Sequence, residues 1–357
     1  MRLHVFGLPH SKIRTDLPWA FCAYSMKIYN ICKMFFDEGH EVYLYANSGS
    51  TAPCTELIDY FPDGMFEETH GPITETSRPI FGSTVATYQW ARDNFAKEVN
   101  KRAGDNDIVL STFGDPFGGD IFRDCKPPVV ESAIGYPECQ HAHYKVWESA
   151  YIRNFVKGLN RDEGPNFSEK VIHGYIDPAA YKFNEFPDNY FLYLARVEDN
   201  YASQKGLRLC LQLQEKLKFN LKIAGPGPGE KYVREGVEYV GPVWGAQKAD
   251  LISKAKALFS LTLYPEPFGY IVIESLMSGT PVISTDHGAF PETVSEEVGF
   301  RGIFWNDFIK AIKNIDTIDR FHCRDYARQN FSLSQQYKKY VDFFEKIIYH
   351  DPRAWYG

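Results

Sequence analysis

The chain has 357 residues, which is long enough for two domains that each bury a sizeable apolar core. Apolar residues make up 44% of it and charged residues 24%, and these proportions exclude disordered, collagen-like and coiled-coil proteins. The net charge of −7 gives no overall positive field, so we expect no nucleic acid among its partners.

The cysteines and the N-terminal segment indicate the compartment. Seven cysteines are scattered along the chain without a C-x-x-C pair, so they predict neither a disulfide framework nor a zinc ribbon. The segment Met1–Phe6 has the pattern of a first strand, and no long apolar run of a signal peptide follows it. No stretch reaches the ~18 apolar residues of a membrane span. We therefore expect a cytoplasmic protein without a transmembrane segment.

In the first half, short apolar runs alternate with helical stretches, a pattern typical of parallel sheets covered by helices. The runs predict four strands, at Arg2–Leu8, Glu41–Ala46, Asp107–Thr112 and Pro128–Ser132. Between the first two strands a helix is expected from about Trp19 to Glu38, with Gly39 as its C-cap. Residues 47–79 are rich in Pro, Gly, Thr and acids, which predicts a long irregular excursion at the carboxyl edge of the sheet.

The second half shows the same alternation more clearly. It predicts five strands, at Tyr190–Val197, Leu221–Gly225, Val237–Gly241, Ala257–Tyr264 and Pro281–Thr285. Helices are expected between them, for example at Gly206–Lys218 and Gln247–Lys256, and a long amphipathic helix is expected at Ser334–Tyr349. The run 177–188 contains two prolines and has the composition of a linker, and we place the domain boundary near residue 172.

Together these elements predict an α/β protein of two doubly wound, Rossmann-like domains that face each other across a cleft. Residues 1–172 form the first domain, which the C-terminal helix at 334–357 is expected to complete by packing back on it. Residues 173–333 form the second domain. Open α/β sheets bind ligands at the carboxyl ends of their strands, so we expect the functional residues there.

The most informative segment, Tyr264–Ser284, runs from a strand through a loop into a helix. Pro267 keeps Glu266 out of the helix, and Gly269 opens the helix, so that Glu274 lies just over one turn inside it. The free amides of residues 268–270 at the helix start would form an anion site suited to a diphosphate. An alternative is that the two glutamates only favour a helix N-terminus, where acids are stabilised by the helix dipole.

The segment resembles the E-x7-E signature of the retaining family-4 glycosyltransferases, whose fold is GT-B. The run Gly279–Ser284 resembles the family's G-x-P-V strand entry, and Gly288–Glu292 resembles its G-G-x-P-E loop, with Ala289 in place of the second glycine. Arg196, followed by Lys205-Gly206, resembles the family's arginine and lysine-glycine pair. The resemblance is strongest over roughly residues 170–300.

The resemblance implies transfer of a sugar from a nucleotide-diphosphate sugar to an acceptor hydroxyl with retention. Arg196, Lys205 and the amides of Phe268, Gly269 and Tyr270 would hold the diphosphate. Glu274 would bind the ribose hydroxyls, and Glu266 would lie beside the donor sugar as a catalytic residue with Arg196 and Lys205. The segment Val237–Trp244 resembles the family's strand near the nucleobase, which would meet Gly241, Pro242 and Val243.

The same resemblance implies that no cofactor is needed and that a metal is not required, since cationic side chains stabilise the leaving group. UDP is the expected donor nucleotide, with GDP as the alternative. The enzyme would be a hexosyltransferase whose acceptor is a glycan or glycoconjugate. A peripheral membrane association is compatible with such an acceptor, and the sequence does not define an oligomeric state.

In the first domain the chain departs from the family's pattern. The loop after the first strand has no glycine pair, and Asp16, Lys12 and Arg14 in this loop are the candidates that would contact the acceptor or the donor. Asp115 follows a strand at the edge that faces the expected cleft and is a further candidate. The alternative for all four is a solvated polar loop.

A histidine that the family places after a middle strand of this domain is absent here, where the chain reads Gly135. His141 and His143 come soon after and are candidates beside the donor sugar. The alternatives are two structural or solvated histidines, or a metal site with Cys139, for which no fourth ligand is evident.

Two other functions stay open at this point. A GT-B enzyme of another reaction, such as a nucleotide-sugar epimerase or hydrolase, would release an epimer or free sugar without an acceptor. A non-catalytic protein would bind a nucleotide sugar without turnover.

Overall fold

The structure is a computed structural model, and it describes residues 1–16, 23–74, 80–138, 140–162 and 168–349. The chain divides into two compact units, each of which is described by itself. Unit 1 comprises Met1–Glu148, Arg153–Tyr175 and Gln336–Gly357, and unit 2 comprises Ser149–Ile152 and Ile176–Gln335. The division differs from the predicted one at three places. Ser149–Ile152 is grouped with unit 2, the second segment of unit 1 ends at Tyr175 and not at residue 172, and its third segment begins at Gln336 and not at residue 334.

Unit 1 contains a seven-stranded parallel sheet in the order β3-β2-β1-β4-β5-β6-β7. Its strands are β1 Arg2–Phe6, β2 Glu41–Tyr45, β3 Glu56–Ile58, β4 Asp107–Ser111, β5 Val129–Ile134, β6 Tyr144–Trp147 and β7 Glu169–Val171. Every residue of β4 is buried, and its three central residues, Ile108–Leu110, are all apolar, because both faces of the sheet are covered.

Unit 2 contains a six-stranded parallel sheet in the order β10-β9-β8-β11-β12-β13. Its strands are β8 Phe191–Leu194, β9 Leu221–Ala224, β10 Val237–Gly241, β11 Ala257–Ser260, β12 Val282–Thr285 and β13 Gly299–Gly302. Alternate strand residues face two separate apolar clusters: Leu192 and Leu258 enter one of them, and Phe191 and Phe259 enter the other. Both faces are therefore packed, as a doubly wound sheet requires.

Helices connect these strands and follow the last of them. The α-helices are α1 Ala23–Asp37, α2 Met65–His70, α3 Ala86–Asn100, α4 Ala150–Asn160, α5 Asp199–Gln204, α6 Leu207–Leu217, α7 Gly245–Lys254, α8 Tyr270–Met277, α9 Phe290–Thr293, α10 Trp305–Asn314, α11 Arg320–Phe331 and α12 Leu333–Tyr349. Within the described residues, none of these helices has the length and apolar content needed to cross a bilayer.

All nine predicted strands are confirmed, although several end earlier than expected. The helix predicted from Trp19 begins at Ala23 in the described part of the chain, and residues 17–22 lie outside the described residues. It ends as predicted: Gly39 has a φ of 80°, and the amide of His40 donates to the carbonyl of Phe35 at 3.1 Å.

The prediction of an irregular excursion over residues 47–79 is wrong in part. Strand β3 pairs with β2 from Tyr43 to Tyr45, and α2 follows it, while residues 75–79 lie outside the described residues. A strand of three residues that begins with Glu56 has too few apolar positions to stand out in a sequence, and its ladder to β2 stabilises it. The strands β6, β7 and β13 are also only 3 or 4 residues long, and the sequence pattern does not predict them.

The C-terminal helix packs on the first domain, as predicted. The ring of Phe344 on α12 stacks on that of Phe35 on α1, with the centroids 5.6 Å apart. The hydroxyl of Tyr337 lies 2.7 Å from Nε2 of His40. The apolar face of this amphipathic helix is thereby buried in unit 1.

Candidate functional site

The strand order of unit 2 changes direction between β8 and β11, which lie side by side: β8 is followed by β9 on one side, and β11 is followed by β12 on the other. Such a switch point opens a crevice outside the carboxyl ends of the two strands. Arg196 follows β8, and Glu266 lies in the loop that follows β11. A cavity of about 450 Å³ lies here, and it is lined by Leu194, Ala195, Arg196, Tyr201, Gln204, Lys205, Tyr264, Glu266, Gly269, Tyr270 and Ile271.

Lys205 and Glu266 form an ion pair in this cavity. The Nζ of Lys205 donates to Oε2 of Glu266 at 2.6 Å and lies 4.5 Å from the centre of the Tyr264 ring. The Lys205 side chain is 27% exposed and that of Glu266 is 13% exposed. Burial lowers the pKa of Lys205, but the charge of Glu266 and the contact with Tyr264 outweigh burial, so the pKa lies above its ordinary value. The ammonium group is therefore charged at neutral pH.

Arg196 supplies a second cation. Its guanidinium carbon lies 5.2 Å from the centre of the Tyr201 ring, a cation–π contact that places both side chains in the cavity wall. Within the described part of the chain, Arg196 has no carboxylate partner. Arg196 and Lys205 are positive and Glu266 is negative, so the side chains that line the cavity carry one net positive charge. This charge favours an anionic ligand.

The N-terminus of α8 lies beside this pair. Gly269 precedes the helix with a φ of 86°, and a side chain there would bring its Cβ within 2.9 Å of the Phe290 ring, so only glycine fits without rearrangement. The side chain of Phe268 is buried in the core, and Phe268 does not line the cavity, whereas Gly269 and Tyr270 do. Over the residues that the structure describes, the first turn of α8 holds no acidic residue and no side chain caps it.

Neither glutamate of the E-x7-E segment caps α8. Glu266 is bonded to Lys205, and Glu274 accepts at Oε1 from the hydroxyl of Tyr181 at 2.9 Å and from Nζ of Lys248 at 2.8 Å. Their positions are therefore not explained by the helix dipole alone. Sequence reasoning missed Lys248 and Tyr181, because nothing in the local pattern of α7 or of the linker distinguishes them.

The loop that carries Glu266 is held by its neighbours. The amide of Ala289 donates to the carbonyl of Glu266 at 2.9 Å, and a Cβ at Gly288 would lie 2.5 Å from both the amide nitrogen and the carbonyl oxygen of Glu266. The next residue, Pro267, accepts at its carbonyl a hydrogen bond from the hydroxyl of Ser149 at 2.6 Å. The G-x-P-E-like loop thus supports the Glu266 loop through backbone contacts.

Glu292, the last residue of that motif, has a structural task. Its carboxylate accepts from the amides of Ala150 and Tyr151, each at 2.8 Å. These bonds and the one from Ser149 explain why the segment Ser149–Ile152 is grouped with unit 2.

The predicted nucleobase contacts lie at the carboxyl end of β10. Gly241 has a φ of 86°, and its carbonyl accepts from the amide of Gly225 at 2.9 Å. Val243 is buried in the core, so its backbone is what it can present to a ligand. Gly241, Pro242 and Val243 do not line the cavity of Arg196 and Lys205.

The glycine-rich run 225–229 serves close packing. A Cβ at Gly225 would lie 1.9 Å from the carbonyl oxygen of Ala195, and one at Gly229 would overlap the ring of Tyr239. The hydroxyl of Tyr239 donates to the carbonyls of Gly225 and Gly227 at 2.8 and 2.7 Å. The backbone there approaches its neighbours closely, which accounts for the glycines.

Two of the candidates in unit 1 have partners within their own loops. Asp16 is exposed and forms a bidentate ion pair with Arg14, at 2.7 and 2.6 Å, which lowers the pKa of its carboxyl group. Asp115 is buried and accepts from the amides of Phe117 and Ile121 at 2.8 and 2.7 Å, so it orders the loop after β4. Burial raises the pKa of Asp115 despite these bonds.

The two histidines lie in different surroundings. His141 lines a cavity of about 270 Å³ in unit 1 together with Lys145 and Glu169. His143 packs edge-on against Tyr144, with the ring centres 4.7 Å apart, at the amino end of β6. Cys139 lies outside the described residues, and among the residues that are described no group of three His, Cys, Asp or Glu side chains is suited to a metal ion.

The chain is similar to glycosyltransferases of known sequence and structure. Residues 180–321 match the family model described as glycosyl transferases group 1. An uncharacterized glycosyltransferase of Methanocaldococcus jannaschii is 23% identical over 224 residues, which cover 51% of this chain and 57% of that protein. The aligned segment therefore spans little more than half the length of this relative.

Solved structures resemble the chain over nearly its whole length. A glycosyltransferase involved in avilamycin A biosynthesis has a TM-score of 0.68 at 18% identity, covering 98% of each chain. Sucrose-phosphate synthase from Thermosynechococcus elongatus has a TM-score of 0.70 at 13% identity, covering 98% of this chain and 100% of that one. Anabaena HepE, solved with UDP and glucose, has a TM-score of 0.61 at 14% identity, covering 97% and 100%.

At these identities the structural neighbours establish the fold. It is the GT-B fold, with two parallel-sheet, Rossmann-like domains, and the family match coincides with unit 2, where the cavity lies. Together the findings support glycosyl transfer, and the chain resembles the group 1 glycosyl transferases in the part that holds Arg196, Lys205, Glu266 and Glu274.

Proposed function

We propose that this protein is a retaining glycosyltransferase of the family-4 kind, which moves a hexose from a nucleotide-diphosphate sugar to an acceptor hydroxyl. The observation that carries the proposal is the cavity of unit 2, which Arg196, Lys205, Glu266 and the N-terminus of α8 line together. Two cations and a helix N-terminus make a site for a diphosphate, and a carboxylate beside them suits a sugar.

The chemistry requires stabilisation of the leaving diphosphate more than any other contribution. Lys205 and Arg196 would bind its oxygens and offset the charge that grows as the glycosidic bond breaks. The amides of residues 268–270 would add hydrogen bonds from the helix N-terminus. Because these groups are already in place before the reaction, they need little reorganisation during it.

Glu266 would orient the hydroxyls of the donor sugar and favour the developing oxocarbenium charge. Its partner Lys205 holds the carboxylate at the cavity wall. In the retaining mechanism that the sequence resemblance implies, the departing phosphate oxygen takes the acceptor's proton, so no protein base is required. Because Arg196 and Lys205 would stabilise the leaving diphosphate, we also propose that a divalent metal is dispensable.

UDP is the donor nucleotide that we propose first, with GDP as the alternative. The support is that HepE, a protein of the same fold, has been solved with UDP and with UDP-glucose. Unit 1 would bind the acceptor, which we propose to be a glycan or glycoconjugate, and the reaction would take place in the cytoplasm.

The test begins with nucleotide binding. The purified protein is titrated in a calorimeter with UDP, GDP, ADP and dTDP, each with and without Mg²⁺. We expect selective binding of one nucleotide that does not depend on the metal. Binding of none would contradict the proposal.

The second stage uses the matching nucleotide sugars with a panel of glycan acceptors, and NMR assigns the anomer of the product. We expect a glycoside with the donor's anomeric configuration. Release of an epimer or free sugar without an acceptor would instead indicate an epimerase or hydrolase, and binding without turnover would indicate a non-catalytic protein.

A further inference from the structure

Three segments of unit 2 converge on one carboxylate oxygen. Oε1 of Glu274 on α8 accepts from the hydroxyl of Tyr181, in the linker, and from the ammonium of Lys248, on α7. We propose that Tyr181 and Lys248 are positioning residues that hold Glu274 for the ribose of the donor nucleotide. The inference rests on the proposed function, in which Glu274 binds that ribose.

The two carboxylate oxygens of Glu274 differ in their hydrogen-bond partners. Oε1 is occupied by two donors, at 2.9 and 2.8 Å, whereas Oε2 has no hydrogen-bond partner among the described residues. An ionised carboxylate offers about four lone-pair sites over its two oxygens. Oε2 therefore keeps its full accepting capacity, which suits the two neighbouring hydroxyl groups of a ribose.

Two donors from different segments also fix the side-chain rotamer. Tyr181 packs against the core of unit 2, so its ring cannot follow a moving glutamate. Lys248 approaches from the adjacent helix with a side chain that is 28% exposed, while Glu274 is only 13% exposed. A carboxylate held from two directions loses little freedom on binding, and such preorganisation increases affinity.

The chemistry of the two donors suits both contacts. Burial and the charge of Glu274 raise the pKa of the Tyr181 phenol well above its ordinary value, so the hydroxyl remains a donor. The contact of the Lys248 ammonium with the carboxylate is a charge-assisted hydrogen bond, which is stronger than a bond between neutral groups.

The test compares two probes that differ only at the ribose. UDP and 2′,3′-dideoxy-UDP, and the corresponding GDP pair, are titrated into the wild type and into Lys248→Met and Tyr181→Phe. Each variant is expected to weaken UDP or GDP by about tenfold, the effect of losing a hydrogen bond to a charged group, and to leave the dideoxy form unchanged. Lys248→Arg is expected to restore part of the affinity.

Matched controls separate positioning from general damage. Lys254→Met removes another lysine of α7, whose ion-pair partner is Asp250, at 2.7 Å, and not Glu274. Tyr190→Phe removes a hydroxyl that donates to the carbonyl of Leu251 at 2.6 Å. Both controls are expected to bind the two probes as the wild type does.

The outcomes test the positioning role of Lys248 and Tyr181 separately from the proposed donor site. An equal loss for both probes in Lys248→Met, or no loss for either, would overturn the positioning role. A wild type that binds the ribose and dideoxy forms equally would overturn the assignment of Glu274 itself, and with it the proposed donor site.

Discussion

Lys205 places a positive charge against Glu266 in a partly buried cavity, and a diphosphate bound there would depend on it. We expect Lys205→Ala to cost about 2–4 kcal/mol of transition-state stabilisation, because the leaving group's charge would lack its partner. The measurement is kcat/KM with the best donor. Lys216→Ala, an exposed lysine on α6, is the control, and activity of Lys205→Ala within threefold of the wild type would exclude the assigned role.

Glu266 and Glu274 are expected to respond in opposite ways. Glu266→Gln removes a negative charge beside the diphosphate and releases Lys205, so nucleotide affinity should rise about 3- to 10-fold while turnover falls. Glu274→Gln should weaken the nucleotide, since an amide accepts hydrogen bonds less well than a carboxylate. Calorimetry on the nucleotide and steady-state rates separate the two effects. The reverse pattern would exchange the two roles.

At the scale of the element, the loop before α9 supports the loop that holds Glu266. Gly288→Ala would force a Cβ to 2.5 Å from two backbone atoms of Glu266, at a φ of 62°. We expect about 2 kcal/mol or more of lost stability, together with a lower kcat, because the Glu266 loop must shift.

The matched control for that prediction is Gly245→Ala. Gly245 also has a positive φ, of 51°, but a Cβ there meets no atom within 4 Å. The Gly245→Ala variant therefore has the conformational cost of a side chain at positive φ without a steric clash. Equal losses in the two variants would show that the contact with Glu266 is unimportant.

At the scale of the whole molecule, two buried groups of unit 1 make stability depend on pH in opposite directions. Burial raises the pKa of Glu131 to about 7 and lowers that of His10 to about 3. The unfolded chain loses the Glu131 proton near its ordinary pKa of 4.5, whereas the folded chain keeps it until about 7. Glu131 therefore lowers the free energy of unfolding as pH rises between these values.

His10 acts in the other direction. The unfolded chain binds a proton below about pH 6.5, and the folded chain does so only near 3, so stability from His10 increases as pH rises through that range. The two effects oppose each other where the ranges overlap.

The variant Glu131→Gln removes the contribution of Glu131 to the pH dependence of stability. Relative to the wild type, its free energy of unfolding should rise with pH by about 3 kcal/mol between pH 4.5 and 7. Urea unfolding across this range measures the difference, and the slope is independent of any constant loss from the contact with Tyr136. A difference that does not change with pH would contradict the burial of an ionisable Glu131.

Much of this molecule is encoded in local sequence patterns. Adjacent apolar residues, such as Ile108–Leu110 in β4 and Val282–Ile283 in β12, predict buried parallel strands, because a strand covered on both faces does not alternate between apolar and polar residues. Gly39 and Gly269 mark a helix end and a helix start by their backbone freedom. The position of Pro267 between Glu266 and Glu274 is enough to predict one carboxylate in a loop and the other on a helix.

The tertiary structure decided which groups meet. Tyr181 and Lys248 lie 93 and 26 residues from Glu274 along the chain, yet both donate to the same oxygen, and no local pattern contains such a contact. The strand β3 exists because β2 offers it a hydrogen-bonded edge. Local sequence determines the conformation that each segment favours, whereas partners across the fold determine where a side chain points and what charge surrounds it, since these depend on packing between distant segments.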